Sequence, residues 1–148
     1  MTATSTVTVR PASELDINAI ESIDEKITGT YRPDHWERQV SYYIARDTES
    51  GLVAESDGQV VGFVFGDVRG WEFGLSAPTG WIEVVGVSPD AQGKGVAKAL
   101  FDQLLGHWRK QGVASARTQV ANSDESLSAF MQKLGMSQAP VTTFEMSL

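Results

Sequence analysis

Apolar and polar residues follow two periods along the first part of the chain. Residues 6–10 alternate between the two classes, which predicts a first β-strand. Ser13 and Asp16 have the spacing of a helix capping box, and isoleucines at helical spacing then predict a helix that ends before Gly29. A second, shorter helix is predicted over residues 34–45. Its apolar side either packs on a sheet or borders a substrate cleft.

Two strands joined by a tight turn are predicted next. Residues 51–56 and 59–68 are strand-like, and Asp57 and Gly58 between them form a strong signal for a two-residue hairpin. The second strand is apolar on both faces, which is typical of a central strand that is covered on both sides. Residues 69–80 contain glycines and a proline and are predicted to be a loop.

The second half of the chain alternates strands and helices. The predicted elements are a strand over residues 81–87, a helix from about residue 96 to residue 110, a strand over residues 113–121, a helix from Ser123 to the residue before Gly135, and a terminal strand over residues 142–148. Hairpins in the first half require antiparallel neighbours, whereas the helix after residue 95 implies a crossover to a parallel strand. The chain is therefore predicted to form a single mixed α/β domain over residues 1–148.

Composition narrows the classes of function. The chain has 148 residues, 41% of them hydrophobic, and a formal net charge of −7, which counts against sequence-independent binding of nucleic acid. It has no cysteine and its two histidines are far apart, so neither a disulfide framework nor a metal site is expected. The sequence contains no apolar run long enough for a membrane span and no signal-peptide pattern, so the default expectation is a cytoplasmic protein without membrane contact.

A glycine-rich loop between residues 88 and 97 is the main candidate for chemistry. Glycines at the start of a helix expose backbone N–H groups at the positive end of the helix dipole, which favours binding of an anion such as phosphate. The spacing excludes a Walker loop, because Lys94 is followed by Gly95. A dinucleotide fingerprint fits poorly, because Lys98 stands where it requires its third glycine. The pattern Gln/Arg-x-x-Gly-x-Gly/Ala is met by Gln92, Gly95 and Ala97.

At this loop the chain resembles the GCN5-related N-acetyltransferase (GNAT) family. The resemblance rests on an apolar strand with an internal acid, a Val-x-Pro turn, the Gln-x-x-Gly-x-Ala loop at the head of a helix, and the Leu134-Gly135-Met136 ending of a later helix. It covers about residues 60–136. It implies one mixed β-sheet, splayed near its centre and flanked by helices, in an acyl-CoA N-acyltransferase fold.

The resemblance implies that acetyl-CoA binds as a cosubstrate, without a metal. The pyrophosphate is expected on the backbone of the loop, and the pantetheine arm on the preceding strand. The implied binding residues are Val85, Gly86, Val87, Gln92, Gly93, Lys94, Gly95, Val96, Ala97 and Lys98. The two lysines either add positive charge near the phosphates or are the solvated start of a helix. A glycine within a strand marks a bulge or a close backbone approach, so the splay is expected near Gly86.

Glu83 is the candidate general base. The implied reaction is direct attack of an amine on the thioester, with a base to take the proton of the ammonium. Glu83 is the only charged residue in residues 81–87, and alternation places it on the same side of the strand as Val85. Burial beside Trp81 is expected to raise its pKa. The alternatives are that Glu83 points to solvent, or that Glu72 in the loop is the base.

The chain departs from the family at the proton donor. Many members carry a tyrosine on the last helix that protonates the departing thiolate, and Met131 stands there. Ser126, Ser128 or one of the tyrosines at positions 31, 42 and 43 remain candidates. Asp124 stands where an asparagine is common, which leaves that contact to CoA open.

The expected function is acetyl-CoA-dependent N-acetylation of a primary amine, in a small molecule or a protein. The alternative is a domain that binds acyl-CoA as a sensor without turnover. The acceptor pocket is expected in helix two, over residues 31–43, and in the loop over residues 71–76, where Trp71 and Phe73 either anchor the loop to the core or contact substrate. A homodimer through the terminal strand is a further implication of the resemblance.

Overall fold

A computed structural model describes residues 6–70 and 77–148 of the chain. Its strands are β1 (Val7–Pro11), β2 (Gly51–Ser56), β3 (Gln59–Arg69), β4 (Thr79–Val87) and β5 (Ser115–Thr118), and its helices are α1 (Ile17–Thr28), α2 (Pro33–Arg46), α3 (Val96–Lys110) and α4 (Glu125–Lys133). Short 3-10 turns precede α1, β2 and the loop before α3. The order of these elements agrees with the prediction as far as α4.

The strands form one five-stranded sheet in the order β1-β2-β3-β4-β5. The first four strands pair antiparallel, and β5 pairs parallel to β4 after the crossover through α3. The predicted mixed α/β fold is confirmed. Strand β3 extends to Arg69 and β4 begins at Thr79, so the segment between them is shorter than the predicted loop.

Several short sequence motifs adopt the local structures that the sequence predicts for them. Ser13 and Asp16 make both hydrogen bonds of a capping box, and Gly29 ends α1 with a φ of 77°. Asp57 and Gly58 have φ angles of 53° and 77°, and two positive values are what a type I′ hairpin turn requires.

Two cores lie on opposite faces of the sheet. On the first face, called the α3 face, Leu100, Leu104 and Trp108 of α3 pack on Val64 and Ile82. On the other, called the α1–α2 face, the helices pack on β2 and β3 through Ile20, Ile23, Trp36, Val40, Val53, Phe63 and Phe65. Helix α2 therefore packs on the sheet through its apolar side, which was one of the two alternatives.

The predicted terminal strand over residues 142–148 is wrong for the isolated chain. These residues form no helix or strand, and Phe144 and Met146 are 90% and 80% exposed. The alternation of apolar residues is present, but no neighbouring strand within the described part of this chain pairs with it. Strand β5 is also shorter than the predicted range of residues 113–121.

Candidate active site

The sheet opens on one side of β4, beyond Ile82. The parallel pairing of β4 with β5 covers only Thr79 to Ile82, and Thr118 Oγ1 donates to the carbonyl of Ile82 at 3.0 Å. Beyond this point residues 83–87 keep β3 on one edge and, within the described ranges, have no partner strand on the other. Backbone N–H and C=O groups on that edge are therefore available to an extended ligand.

The predicted pantetheine-binding residues lie on this open edge. Val85 and Val87 pack on the core of the α3 face. Gly86 is buried, and a Cβ on it would stand 2.5 Å from the ring of Phe63 on the α1–α2 face. The close approach at Gly86 is thus made by Phe63, and the sheet opens nearer to Ile82 than expected.

Glu83 is an extra residue in β4. Pairing passes from Phe65 opposite Val84 to Gly66 opposite Ile82, so Glu83 has no opposite residue on β3. Such a β-bulge interrupts the alternation of side chains. Because Ile82 and Val85 both pack on the α3 face, the expectation that Glu83 shares a side with Val85 is wrong.

Glu83 lies instead among charged side chains on the α1–α2 face. Its carboxylate forms an ion pair with Arg69, whose guanidinium carbon lies 5.3 Å from the centre of the Trp81 ring. The Glu83 side chain is 32% exposed. The predicted burial beside Trp81 is therefore wrong. The carboxylate instead pairs with Arg69, a cation that the sequence pattern predicts to lie in a loop.

The ion pair continues as a short network towards α2. Asp67 accepts a hydrogen bond from Arg46 Nε at 2.8 Å and lies 3.9 Å from Arg69 Nε. The hydroxyl of Tyr42 donates weakly to Asp67 at 3.5 Å. Because Asp67 and Arg69 are two residues apart on β3, both point to the same face, and this period-two spacing is the signal that could have found them.

The glycine loop ends at the first turn of α3. Gly93 and Gly95 have φ angles of 80° and 79°, and Gly95 is the N-cap of the helix without a side-chain cap. The amides of Val96, Ala97 and Lys98 have no acceptor within the helix, because the first turn of an α-helix never does. A Cβ on Gly95 would meet nothing within 4 Å, so the space beside the N-cap of the helix is open. This donor set fits a pyrophosphate.

The polar side chains of the loop are exposed. Lys94 is solvated, whereas Lys98 is paired with Asp102 at 2.6 Å. Gln92 Nε2 donates to the carbonyl of Val87 at 3.4 Å, which links the loop to the end of β4.

A cavity of about 760 Å³ lies beside β5 and α4. Its lining includes Trp81, Arg117, Ser128 and Met131. Met131 is 5% exposed and belongs to the core of the α3 face, and a thioether cannot donate a proton. Of the candidate donors, Ser128 lines the same cavity.

The other candidate donors have different neighbours. The hydroxyl of Tyr31 lies 3.4 Å from Glu21, and Tyr43 stacks on Phe65 in the core. Burial raises the pKa of Tyr43 above its ordinary value, which makes it a poorer acid. Asp124 is the N-cap of α4, where its Oδ1 accepts from the amide of Leu127 at 3.0 Å.

Some expectations concern residues that the structure does not describe. Glu72, the alternative base, and Trp71 and Phe73 all lie within residues 71–76, outside the described ranges. In the described part of the chain, no three His, Asp or Glu side chains are grouped so as to hold a metal ion. No helix there has both the length and the apolar character needed to cross a bilayer.

Comparison with known proteins gives matches over most of the chain. Residues 17–136 match the family model described as the acetyltransferase (GNAT) family. The mycothiol acetyltransferase of Saccharomonospora viridis is 38% identical over 93 residues, which cover 60% of this chain and 30% of that protein. The matched region thus spans less than a third of the length of this relative.

Solved structures match at the level of the fold. The aminoglycoside N-acetyltransferase AAC(6')-Iy, solved in complex with CoA, superposes with a TM-score of 0.83 at 17% identity and covers 97% of this chain and 95% of its own. Ard1 from Thermoplasma volcanium has a TM-score of 0.72 at 25% identity and covers 87% of this chain and 81% of its own. Both therefore share the overall fold of this chain.

Proposed function

The chain belongs to the acetyltransferase (GNAT) family, and we propose on that basis that it is an acetyl-CoA-dependent N-acetyltransferase that acts on a primary amine. One observation carries the proposal. The open edge of β4 over residues 83–87 leads, through the turn at residues 88–91, to the amides at the head of α3 that have no acceptor within the helix. A strand edge followed by an anion site suits a long ligand that has a phosphate group at one end.

The proposed binding mode assigns a task to each part of this path. Amides of Gly93 to Lys98 hold the pyrophosphate, and glycine at positions 93 and 95 lets the backbone turn with positive φ. The pantetheine arm then runs back along the edge of Val87, Gly86 and Val85. Its acyl end lies near Ile82, where β4 and β5 separate, because the arm cannot continue between paired strands.

Acetyl-CoA supplies the activated acetyl group, and the chain supplies a base beside it. Glu83 is the first residue of β4 beyond the last pair with β5, and its carboxylate accepts the proton that the attacking ammonium must lose. A backbone amide on the open edge donates to the carbonyl oxygen of the thioester as negative charge develops there. The thiolate leaves as the anion, since a thiol pKa of about 8.5 makes that tolerable without a donor at Met131.

The acceptor is a primary amine of low pKa. An α-amine has a pKa of about 7.7–8.0, against about 10.4 for a lysine side chain, so far less of it is protonated at neutral pH. The net charge of −7 favours a cationic acceptor over an anionic one. The names of similar proteins include mycothiol, aminoglycoside and ribosomal-protein-alanine acetyltransferases, which do not agree on one acceptor.

Replacing Gly95 with glutamate tests the cofactor cradle. The new side chain places a carboxylate against the phosphates, so acetyl-CoA affinity should fall at least 30-fold (about 2 kcal/mol). The matched control is Gly112→Glu, because Gly112 has a φ of 78°, close to the 79° of Gly95, but lies beyond the other end of α3. Calorimetric titration with acetyl-CoA should show normal affinity in the control. Equal losses in both variants would show that backbone strain, rather than the cradle, explains the result.

Met131 favours a second candidate function, a domain that binds acyl-CoA without turnover. The position that the family commonly gives to the acid is here a buried thioether. Release of free thiol from acetyl-CoA, measured with a panel of primary amines, separates the two functions. An enzyme releases thiol with at least one class of amine, whereas a sensor binds acetyl-CoA and releases none.

A further inference from the structure

Arg117 of β5 carries a positive charge that no acidic side chain in residues 6–70 and 77–148 balances. Its guanidinium makes no hydrogen bond or ion pair within those ranges, and its Nη1 atom is buried from water as well. Arg46 and Arg69 differ, because each of them pairs with a carboxylate. A buried guanidinium nitrogen without an acceptor costs free energy, so an incoming anion is favoured at Arg117.

Arg117 lies on the same face of the sheet as the candidate base. It stands opposite Trp81 in the parallel pairing of β4 with β5, and side chains at paired positions point to the same side. The side chain of Trp81 points away from α3, since a Cβ on the preceding Gly80 would meet Trp108 of that helix. Arg117 therefore shares the α1–α2 face with Trp81 and Glu83.

The cavity of about 760 Å³ connects this cation with the surroundings of the base. Both Trp81 and Arg117 line it, and the ring of Trp81 also carries Arg69, the ion-pair partner of Glu83. Its volume is within the range of about 300–1,000 Å³ that is usual for small-molecule sites. With Glu83 two positions along β4 and Arg117 on the next strand, their backbones are about 8 Å apart. A small molecule can therefore contact both side chains.

We propose that Arg117 binds a carboxylate of the acceptor, so that the substrate is a small molecule with both a primary amine and a carboxylate. This rests on the N-acetyltransferase activity proposed above. The amine lies at Glu83, which takes its proton, and the amine nitrogen forms a bond to the acetyl carbon as the bond from that carbon to sulfur breaks and the thiolate leaves. The carboxylate of the acceptor stays on Arg117 and is unchanged.

The charge of the whole chain agrees with an acceptor of this class. A net charge of −7 repels anions at long range, but a molecule with one ammonium and one carboxylate has no net charge. A phosphate ester would carry more negative charge than a carboxylate, so the carboxylate is the better fit. A guanidinium binds a carboxylate through two parallel N–H···O bonds, which fixes the orientation of the acceptor as well as its charge.

The first test compares acceptors that differ by one carboxylate. Aspartic acid α-amide and asparagine α-amide are similar in size, and both present an α-amine; the glutamic acid and glutamine α-amides are a second pair with a longer reach. In thiol release from acetyl-CoA, the wild-type protein should give a kcat/KM at least about 10-fold higher for the acidic member of one pair or both.

Three variants assign this preference to Arg117. Arg117→Gln should abolish it, mainly by raising KM for the acidic acceptor, and should change kcat/KM for the neutral acceptor by less than about two-fold. Arg117→Lys should restore part of the preference, because it restores the charge. Arg109→Gln is the matched control, since Arg109 is exposed in the last turn of α3, and it should keep the full preference.

The outcomes separate this inference from the proposed function. If thiol is released equally with both members of each pair, the protein is an N-acetyltransferase and the carboxylate site is wrong. The site is equally wrong if the preference persists in Arg117→Gln. If no amine releases thiol, the proposed function is wrong, and a binding measurement then decides whether the carboxylate site exists.

That measurement is calorimetric titration of the CoA complex with the acetylated products, which need no turnover. N-acetyl aspartic acid α-amide should bind the wild-type protein at least about 10-fold more tightly than N-acetyl asparagine α-amide, and Arg117→Gln should remove the difference. Urea titration should show that Arg117→Gln is folded, since within the described part of the chain Arg117 has no partner to lose. Equal affinity of the wild-type protein for the two products, or an undiminished difference in Arg117→Gln, overturns the inference.

Discussion

Replacing Arg69 with methionine isolates the effect of one cation on the candidate base. The guanidinium pairs with the carboxylate of Glu83 and rests against the ring of Trp81, at 5.3 Å from its centre. Methionine keeps an apolar stem of similar length and removes the charge. A carboxylate without its cation is protonated at higher pH, so the acid limb of the kcat/KM profile should move to higher pH.

The size of the movement follows from the exposure of the pair. The side chains of Arg69 and Glu83 are 39% and 32% exposed, so solvent screens much of their attraction. An ion pair of this kind is worth about 0.5–1 kcal/mol. Because about 1.36 kcal/mol corresponds to one pH unit, the acid limb should shift by about 0.4–0.7 units.

The assay is thiol release from acetyl-CoA between pH 5.5 and 9, with one amine throughout, so that titration of the amine is the same for every variant. Arg46→Met is the matched control, because Arg46 belongs to the same network but pairs with Asp67. Its acid limb should not move, and Arg69→Lys should restore most of the wild-type profile. Glu83→Gln should lower turnover, remove the acid limb that protonation of Glu83 causes, and leave acetyl-CoA affinity near normal. If Arg69→Met leaves the limb in place, or if Arg46→Met moves it equally, Arg69 does not act through Glu83.

Two further changes test how the sheet and its first helix are held. Gly86→Ala puts a Cβ at 2.5 Å from the ring of Phe63, so the free energy of unfolding measured in urea titrations should fall by about 1–3 kcal/mol. A fall of less than about 0.5 kcal/mol would contradict the packing argument. Burial raises the pKa of Asp16, but the hydrogen bonds from Arg10 and Ser13 together lower it by more than burial raises it. The pKa of Asp16 therefore lies below its ordinary value. The stability that this carboxylate contributes is therefore present above about pH 4 and is lost as the pH falls through the lowered pKa. Asp16→Asn should lower the free energy of unfolding by about 2 kcal/mol at pH 7 and by progressively less below pH 4. Urea titrations that give the same loss at pH 7 and pH 3 would contradict this.

The features that the sequence predicts well depend on neighbours within a few residues. The Asp57-Gly58 turn, the capping box of Ser13 and the end of α1 at Gly29 all follow from backbone geometry that a short peptide already restricts. The glycine loop belongs to this class too. Its positive φ angles at positions 93 and 95 and its place at the head of α3 could be expected from the spacing of residues alone.

The features that the sequence does not predict depend on strands that are distant in the chain. The sheet opens where β5 stops pairing with β4, at Thr118 opposite Ile82. The apolar pattern over residues 113–121 does not indicate at which residue this pairing ends. The alternation in residues 142–148 predicts a strand with one buried face, but no other strand in the described part of the chain pairs with it. For the same reason the sequence predicts a loop at Arg69, although this residue pairs with Thr79 in the sheet.

The bulge in β4 explains why a carboxylate can stand beside an otherwise apolar strand. With regular alternation, a strand that places Val85 on the α3 face would place Glu83 there as well, and Ile82 on the opposite face. A carboxylate on that side would enter the apolar core that holds Leu100 and Trp108, and burial of an unpaired carboxylate costs much free energy. The extra residue at Glu83 lets Ile82 and Val85 both pack on α3, and turns the carboxylate towards Arg69. The same register shift therefore lets Ile82 and Val85 both join the core of the α3 face, and it places the carboxylate of Glu83 on the α1–α2 face, beside the open edge of β4.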